Sequence, residues 1–433
     1  VTYSDCPANI APETKFPSFT NNGLNIIKKF TGRLGNQQDE DCLALNIWTK
    51  STSETHPHEP KKPVFAFFHG GRFTIPGPHS PYYNGQYLAD NEDVVVVTIN
   101  YRLGIFGFSG APGIEQNAGL RDQRSAIEWL RDNISAFGGD PNRIIIFGQS
   151  AGGASVDYWA YAYEKDPIVA GIISHSGTAL SFIPNPLEYS RSIYNNVTST
   201  LGCTNTTDKD TLACLRAKPF TTLLAAARNV PALPTLALAQ ATFHPTVDNT
   251  TVFADYTTLG KRGAFAKIPY LAGNNDYEAG TYRISAFNAN ITLSPAQWDL
   301  FNERSFTCPT KYATDFHVAH GVPTWRYRYM GDFENLRLYN SWGEYPSSGA
   351  YHGAELSELF GTAENVSGEA GSAEQQRFSR YMQGAWAAFG RDPWHGLSEE
   401  YGWPGYHESI ESLVELAPGG GVLREFVDSD IYD

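Results

Sequence analysis

Ile144-Ile145-Ile146-Phe147-Gly148-Gln149-Ser150-Ala151-Gly152-Gly153 is the stretch on which the reading of the fold turns. An unbroken β-branched and aromatic run reads as a strand buried on both faces, and the small residues after it suit a tight turn into a helix. A Gly-X-Ser-X-Gly in that setting holds its serine on a strained turn with the hydroxyl exposed, so Ser150 is the candidate nucleophile.

Working outward, Ile127, Leu130, Ile134 and Phe137 fall on one helical face, and Gly138-Gly139 followed by Asp140-Pro141 ends that helix. A further apolar run over residues 94–100 precedes it. Strand, helix, strand in this order implies a right-handed crossover and a parallel sheet. Similar runs predict strands over residues 64–68, 168–174, 268–272 and 324–329, and a helix over 374–389. The sequence therefore predicts an α/β fold: a mostly parallel sheet flanked by helices. Residues 178–260 break the rhythm with a Thr/Asn-rich stretch and an Ala/Leu-rich helical run, and they read as a helical insertion covering the sheet within a single domain, 1–433.

A serine nucleophile needs a base, and the base needs an acid to fix its tautomer. Among 11 histidines, His352 stands in a small-residue loop, Gly349-Ala350-Tyr351-His352-Gly353-Ala354, after the 324–329 strand. His317 and His320 lie in a helical stretch, and His56, His58 and His79 in Pro-rich loops. For the acid, Asp276 and Glu278 both follow the 268–272 strand. His69-Gly70-Gly71-Arg72-Phe73, directly after the 64–68 strand, could present backbone N–H groups to an oxyanion.

With 32 Lys+Arg against 46 Asp+Glu the chain carries a formal charge of −14, which disfavours nucleic acid and anionic lipid as partners. No apolar run approaches the ~18 residues of a membrane span. The start at Val1, without an initiator methionine, reads as a processed, secreted chain. Sequons at Asn196, Asn205, Asn249, Asn290 and Asn365 are then glycan acceptors, whereas the one at Asn133 falls in the predicted helix and reads as a chance match. Five cysteines with no metal-ligand spacing read as two disulfides and one thiol.

Many short motifs in one order resemble the type-B carboxylesterase/lipase family, the α/β-hydrolases that include cholinesterases and fungal lipases. They are Glu40-Asp41-Cys42-Leu43, Leu45-Asn46-Ile47-Trp48, His69-Gly70-Gly71, Asn100-Tyr101-Arg102, Phe106-Gly107-Phe108, Gly119-Leu120, Asp122-Gln123-Arg124, Asn133-Ile134, Phe137-Gly138-Gly139-Asp140-Pro141, the Ser150 turn and His175-Ser176-Gly177. The resemblance implies an α/β-hydrolase fold and ester hydrolysis without metal or organic cofactor. It makes Ser150 the nucleophile, His352 the base and Glu278 the acid, with the N–H groups of Gly71, Arg72 and Ala151 as oxyanion hole. It pairs Cys6 with Cys42 and Cys203 with Cys214, and leaves Cys308 as the thiol.

Four departures refine that expectation. The acid loop is lengthened to Asp276-Tyr277-Glu278-Ala279-Gly280, which keeps Asp276 in play. Gln149 stands where the family commonly has Glu, and Arg72 where it has a third glycine. The family's segment before the cysteine matched by Cys6 is absent, so a separate N-terminal peptide preceding Val1 is expected to stay bound or Glu40 to be hydrated, while Arg102 pairs with Asp122. The disulfide-closed loop 7–41 carries Phe16, Phe19, Leu24, Ile26, Ile27 and Phe30 but no Trp, which reads as a lid or a packed cover and favours neutral, apolar-acyl esters over cationic ones. A lipase with a mobile lid is the alternative reading, and a non-catalytic adhesion domain the rival from another class.

Overall fold

Continuous Val, Ile and Phe runs are satisfied only in strands covered on both faces. In the computed structural model, which describes all residues except 1–2, 11–13, 52–59, 78, 205, 232–240, 342, 344–345 and 433, such runs form the middle of a nine-stranded sheet. Asn205, His56 and His58 lie outside the described residues. The strands are β1 (Leu45–Trp48), β2 (Lys62–Phe68), β3 (Val95–Ile99), β4 (Gly139–Gln149), β5 (Gly171–His175), β6 (Tyr270–Asn275), β7 (Thr324–Tyr329), β8 (Leu413–Leu416) and β9 (Arg424–Val427). Their order is β1-β3-β2-β4-β5-β6-β7-β8-β9. Only the β1/β3 and β8/β9 pairs are antiparallel.

Alternation along the strands divides the core in two. Phe65, Phe67, Ile145, Phe147 and Ile173 point to one face, where Trp386 and Phe389 of the helix Ala373–Arg391 cover them. Val64, Ala66, Phe68, Ile144, Ile146 and Ile172 point to the other, against Ile127 and Leu130 of the helix Ala118–Asn133 and the helix Ala151–Ala162. Register keeps the pattern in step: Phe65 stands beside Ile145 and Phe67 beside Phe147. The rim strands β1, β8 and β9 are four residues each and mixed in polarity, too short to stand out as apolar runs.

Several boundaries move from those the sequence suggests. The helix ends at Asn133 and continues as a 3-10 turn, Ile134–Phe137, so Ile134 stays buried while Phe137 swings out to 42% exposure. Six strand residues, Tyr270–Asn275, form β6 rather than 268–272, because Pro269 has no N–H to give the ladder. Within 178–260 lie the helices Leu187–Thr200, Asp208–Arg216, Phe220–Arg228 and Tyr256–Lys261. The first three close a small core of their own that also takes in Ile105 and Ala111. Disulfides join Cys6 to Cys42 and Cys203 to Cys214, and Cys308 is in neither.

Four segments leave the C-terminal ends of strands on the two sides of β5, where open α/β sheets place ligands. β2 runs into Gly70-Gly71, β4 into Ser150, β6 into Asp276–Glu278, and β7 into the connection that reaches His352. Close backbone approach at this edge is demanding. A Cβ on Gly152 would collide with the carbonyl oxygen of Phe68. Gly152→Ala is expected to cost about 1–3 kcal/mol by overpacking, read as a lower urea midpoint at unchanged slope.

Candidate active site

Ser150 sits between β4 and the helix Ala151–Ala162 with φ 59° and ψ −119°, a conformation that costs a non-glycine residue about 1–3 kcal/mol. The surroundings hold it there. Its N–H donates to the His175 carbonyl at 2.8 Å, and its own carbonyl accepts from Ala154 N–H at 2.8 Å. Gly148 and Gly152 pass so closely that a Cβ on Gly148 would meet the Gly152 backbone. The side chain is thereby aimed at the space above the sheet edge, at a helix N-terminus whose first N–H groups lack intrahelical partners.

His352 Nδ1 lies 2.6 Å from Glu278 Oε2, with His352 4% exposed and Glu278 fully buried. The other carboxylate oxygen, Oε1, accepts the Asn275 N–H at 2.7 Å. A ring nitrogen bonded to a carboxylate carries its proton there, which leaves Nε2 as the basic atom. Nε2 is 3.1 Å from the amide Nε2 of Gln149, the residue before Ser150. The Ser150 side chain is in turn approached by the Tyr282 hydroxyl. Tyr282 and Phe306 flank the imidazole, with ring centroids 5.2 and 4.9 Å away. Asp276, the other candidate acid, faces elsewhere: it accepts from Arg328 Nε at 2.9 Å and its side chain is 39% exposed.

Gly71, Arg72 and Phe73 take successive positive φ values of 97°, 56° and 60°, which curls the chain after β2 over the serine. The preceding His69 stacks on Tyr101 at 4.5 Å, and Tyr101 donates to the His69 carbonyl at 2.7 Å, anchoring the base of that turn. Burial drives the His69 imidazole down to about 4, so it is neutral and structural. Ala151, as first residue of its helix, contributes one of the N–H groups with no intrahelical acceptor. His317, also buried, bonds the Ala313 carbonyl and stacks on Tyr270, far from this chemistry in role. His79 pairs with Asp5 at 2.6 Å.

Sequence reasoning missed Asn275, Tyr282, Phe306 and Glu355. Tyr282 had a readable signal: it stands four residues after Glu278, hence on the same side of the helix Ala279–Asn288. Glu355 is fully buried and accepts from Asn275 Nδ2 at 2.6 Å. Burial first, and the charge of Glu278 second, push its carboxyl up to about 8, so it stays protonated at neutral pH and adds no second charge beside the Glu278–His352 pair. Arg102 holds Asp122 in a two-pronged pair, 2.8 Å from Nε to Oδ2 and 2.6 Å from Nη2 to Oδ1, and Glu40 is exposed. The described residues 14–30 of the loop 7–41 pack on the body: Ile26 and Ile27 of the helix Gly23–Phe30 are buried, and Phe16 meets Phe287 and Tyr339. Phe30 rests over Gly353, next to the imidazole.

A strained serine on a strand-to-helix turn, a carboxylate-bound histidine and a glycine-rich turn on the next strand define a serine hydrolase of the α/β-hydrolase class. The model of the carboxylesterase family matches residues 3–299, and the chain belongs to that family; it is a carboxylic ester hydrolase. It is 34% identical to a chlorogenic acid esterase of Aspergillus niger, over 89% of this chain and 75% of that one. It is 33% identical to secreted lipase 5 of Gibberella zeae, over 91% of this chain and 76% of the relative. Para-nitrobenzyl esterase of Bacillus subtilis is 29% identical over 88% of this chain and 80% of its own.

The raised Glu355 carboxyl has a consequence for stability. The unfolded chain releases this proton near the ordinary carboxylate range while the folded chain keeps it to about pH 8, so the stabilising contribution is present at low pH and lost as pH rises through that window. Thermal unfolding compared from pH 5 to 8 should show the midpoint of Glu355→Gln falling less with rising pH than that of the wild type.

Proposed function

We propose that Ser150, His352 and Glu278 are the catalytic triad of an esterase for neutral esters with apolar acyl groups. The observation that carries it is the 2.6 Å contact of His352 Nδ1 with the buried Glu278, its Nε2 facing the residue that adjoins Ser150. On substrate binding, His352 Nε2 takes the proton of the Ser150 hydroxyl as it attacks the carbonyl carbon. The imidazolium is stabilised by Glu278, and the N–H groups of Gly71, Arg72 and Ala151 receive the developing oxyanion. The proton then passes to the leaving alkoxide. Water, deprotonated by the same imidazole, cleaves the acyl-serine ester and restores the serine.

The substrate class rests on the walls. Tyr282, Phe306 and Phe30 are aromatic, and Gln149 brings no charge to a position where a carboxylate would favour a cationic alcohol. A lipase is the second reading, favoured by relatives named secreted lipases and by Phe30 at the inner edge of the disulfide-closed loop. Secretion and glycosylation belong to the same proposal. Among the described sequons, Asn196, Asn249, Asn290 and Asn365 are exposed, while the Asn133 amide nitrogen is engaged by the Trp129 carbonyl at 2.9 Å.

Ser150→Ala should abolish turnover down to the residual that binding and the oxyanion donors supply, and Glu278→Gln should lower kcat by about a thousandfold or more, with Asp276→Asn close to wild type. Equal losses from the two acid variants, or labelling of another residue by an organophosphate, would overturn the assignment. For substrate choice, kcat/KM should be at least about tenfold higher for an uncharged butyrate ester than for butyrylcholine, a difference of ~1.4 kcal/mol in transition-state binding. A rate that jumps when a triglyceride passes from monomer to emulsion would establish the lipase reading instead.

A further inference from the structure

A cavity of about 320 Å³ opens away from the triad, between the helix Ala373–Arg391 and the turn after the helix Glu355–Leu359. Two of its lining side chains, Glu358 and Gln383, are fully buried and each keeps one polar atom without a hydrogen-bond partner: an acceptor, Glu358 Oε2, and a donor, Gln383 Nε2. Their other atoms are spoken for. Glu358 Oε1 accepts from Gln375 Nε2 at 2.7 Å, and Gln383 Oε1 accepts from Asn91 Nδ2 at 2.7 Å. Two fixed side chains with one open valence each are costly as pure structure, because an unmet buried polar group loses about 1–3 kcal/mol.

The same cavity is lined by the half-buried ring of Tyr87, and by Gly361, where a side chain would press on both Tyr87 and the Gln383 amide. An aromatic surface beside an acceptor and a donor matches a molecule with an apolar face and hydroxyl edges. The rim carries both signs, with Arg380 exposed on one side and Glu364 on the other, which suits a neutral ligand better than an ion of either charge. Glu358 itself is held neutral near pH 7, its carboxyl pushed up to about 8 by burial, so it can also donate to a hydroxyl oxygen. We propose that this cavity is a binding site for a short neutral saccharide, stacked on Tyr87 and hydrogen-bonded by Glu358 and Gln383.

Such a sugar has two sources. Asn365, an exposed sequon residue, accepts from the Tyr87 hydroxyl at 3.0 Å through its Oδ1, so a glycan attached at its nitrogen would start beside the cavity. A free or polymer-linked saccharide is the other. Both are tested with the full chain carrying Asn365→Gln, which removes that glycan, titrated with N,N′-diacetylchitobiose and with methyl glucoside under ligand-observed NMR.

Saturable binding is expected, at least about tenfold weaker in Gln383→Leu and in Glu358→Leu, with hydrolysis of a butyrate ester unchanged. Tyr87→Ala, which leaves the buried pair intact, gives the same loss should either core variant fail to fold. If the glycan is the occupant, the glycosylated protein excludes the probe and its melting temperature falls on enzymatic deglycosylation, a fall that Tyr87→Ala abolishes. Equal probe binding with and without the glycan assigns the site to an external saccharide. No saturable binding to 10 mM probe (a ceiling of about 3 kcal/mol), or binding of glucosamine or glucuronate tighter than that of methyl glucoside, overturns the proposal.

Discussion

The contact on which the site depends is that between the Ser150 turn and the strands around it. A left-handed serine followed at once by a helix is unfavourable in isolation, and nothing local offsets it. What holds it is the sheet: the His175 carbonyl at the end of β5 accepts the Ser150 N–H, and the Phe68 carbonyl of β2 leaves room only for glycine at 152. The strain is therefore supported by two neighbouring strands buried on both faces. The same strands deliver the Gly71 turn on one side of the serine and, one strand further across, the Glu278 loop on the other. Position in the sheet order, not proximity in sequence, assembles the site.

This also explains what could be read from the sequence. The central strands were legible because burial on two faces removes the alternation that would make a half-buried strand ambiguous. Ser150 was legible because its turn imposes small residues at fixed offsets. The edge strands were not: Leu45–Trp48 is half-buried throughout, and Arg424–Val427 carries polar side chains because one side of each is solvated. The choice between Asp276 and Glu278 was not legible from residue types, since both are carboxylates in one loop. It is Arg328 of β7 that draws Asp276 outward and the Asn275 N–H that orients Glu278 inward, and both partners act through tertiary contacts. Resemblance to a family supplied the register that local pattern lacked.

The electrostatics of the base follow from a second inequality. Glu278 and Glu355 are both fully buried, and close enough for the charge of Glu278 to raise the Glu355 carboxyl. The pair is differentiated by partners. Glu278 has the imidazole N–H and a backbone N–H directed at it, whereas Glu355 has the Asn275 amide on one oxygen and no hydrogen bond on the other. Burial and the neighbouring Glu278 leave the Glu355 carboxyl holding its proton at neutral pH. Asn275 joins the two: its backbone N–H serves Glu278 while its side chain serves Glu355.

Gln149 gives the site a resting state. Its amide hydrogen bond occupies the Nε2 lone pair that the proposed proton transfer from Ser150 would use. That contact is not strong: a neutral hydrogen bond is worth about 0.5–1.5 kcal/mol net, so it can be exchanged for the proposed Ser150–His352 bond at small cost. A glutamate in this place could not behave in the same way, because a carboxylate has no N–H to donate to the Nε2 lone pair. The amide orients the imidazole and adds no charge beside it. That amide is placed by the same turn that strains Ser150.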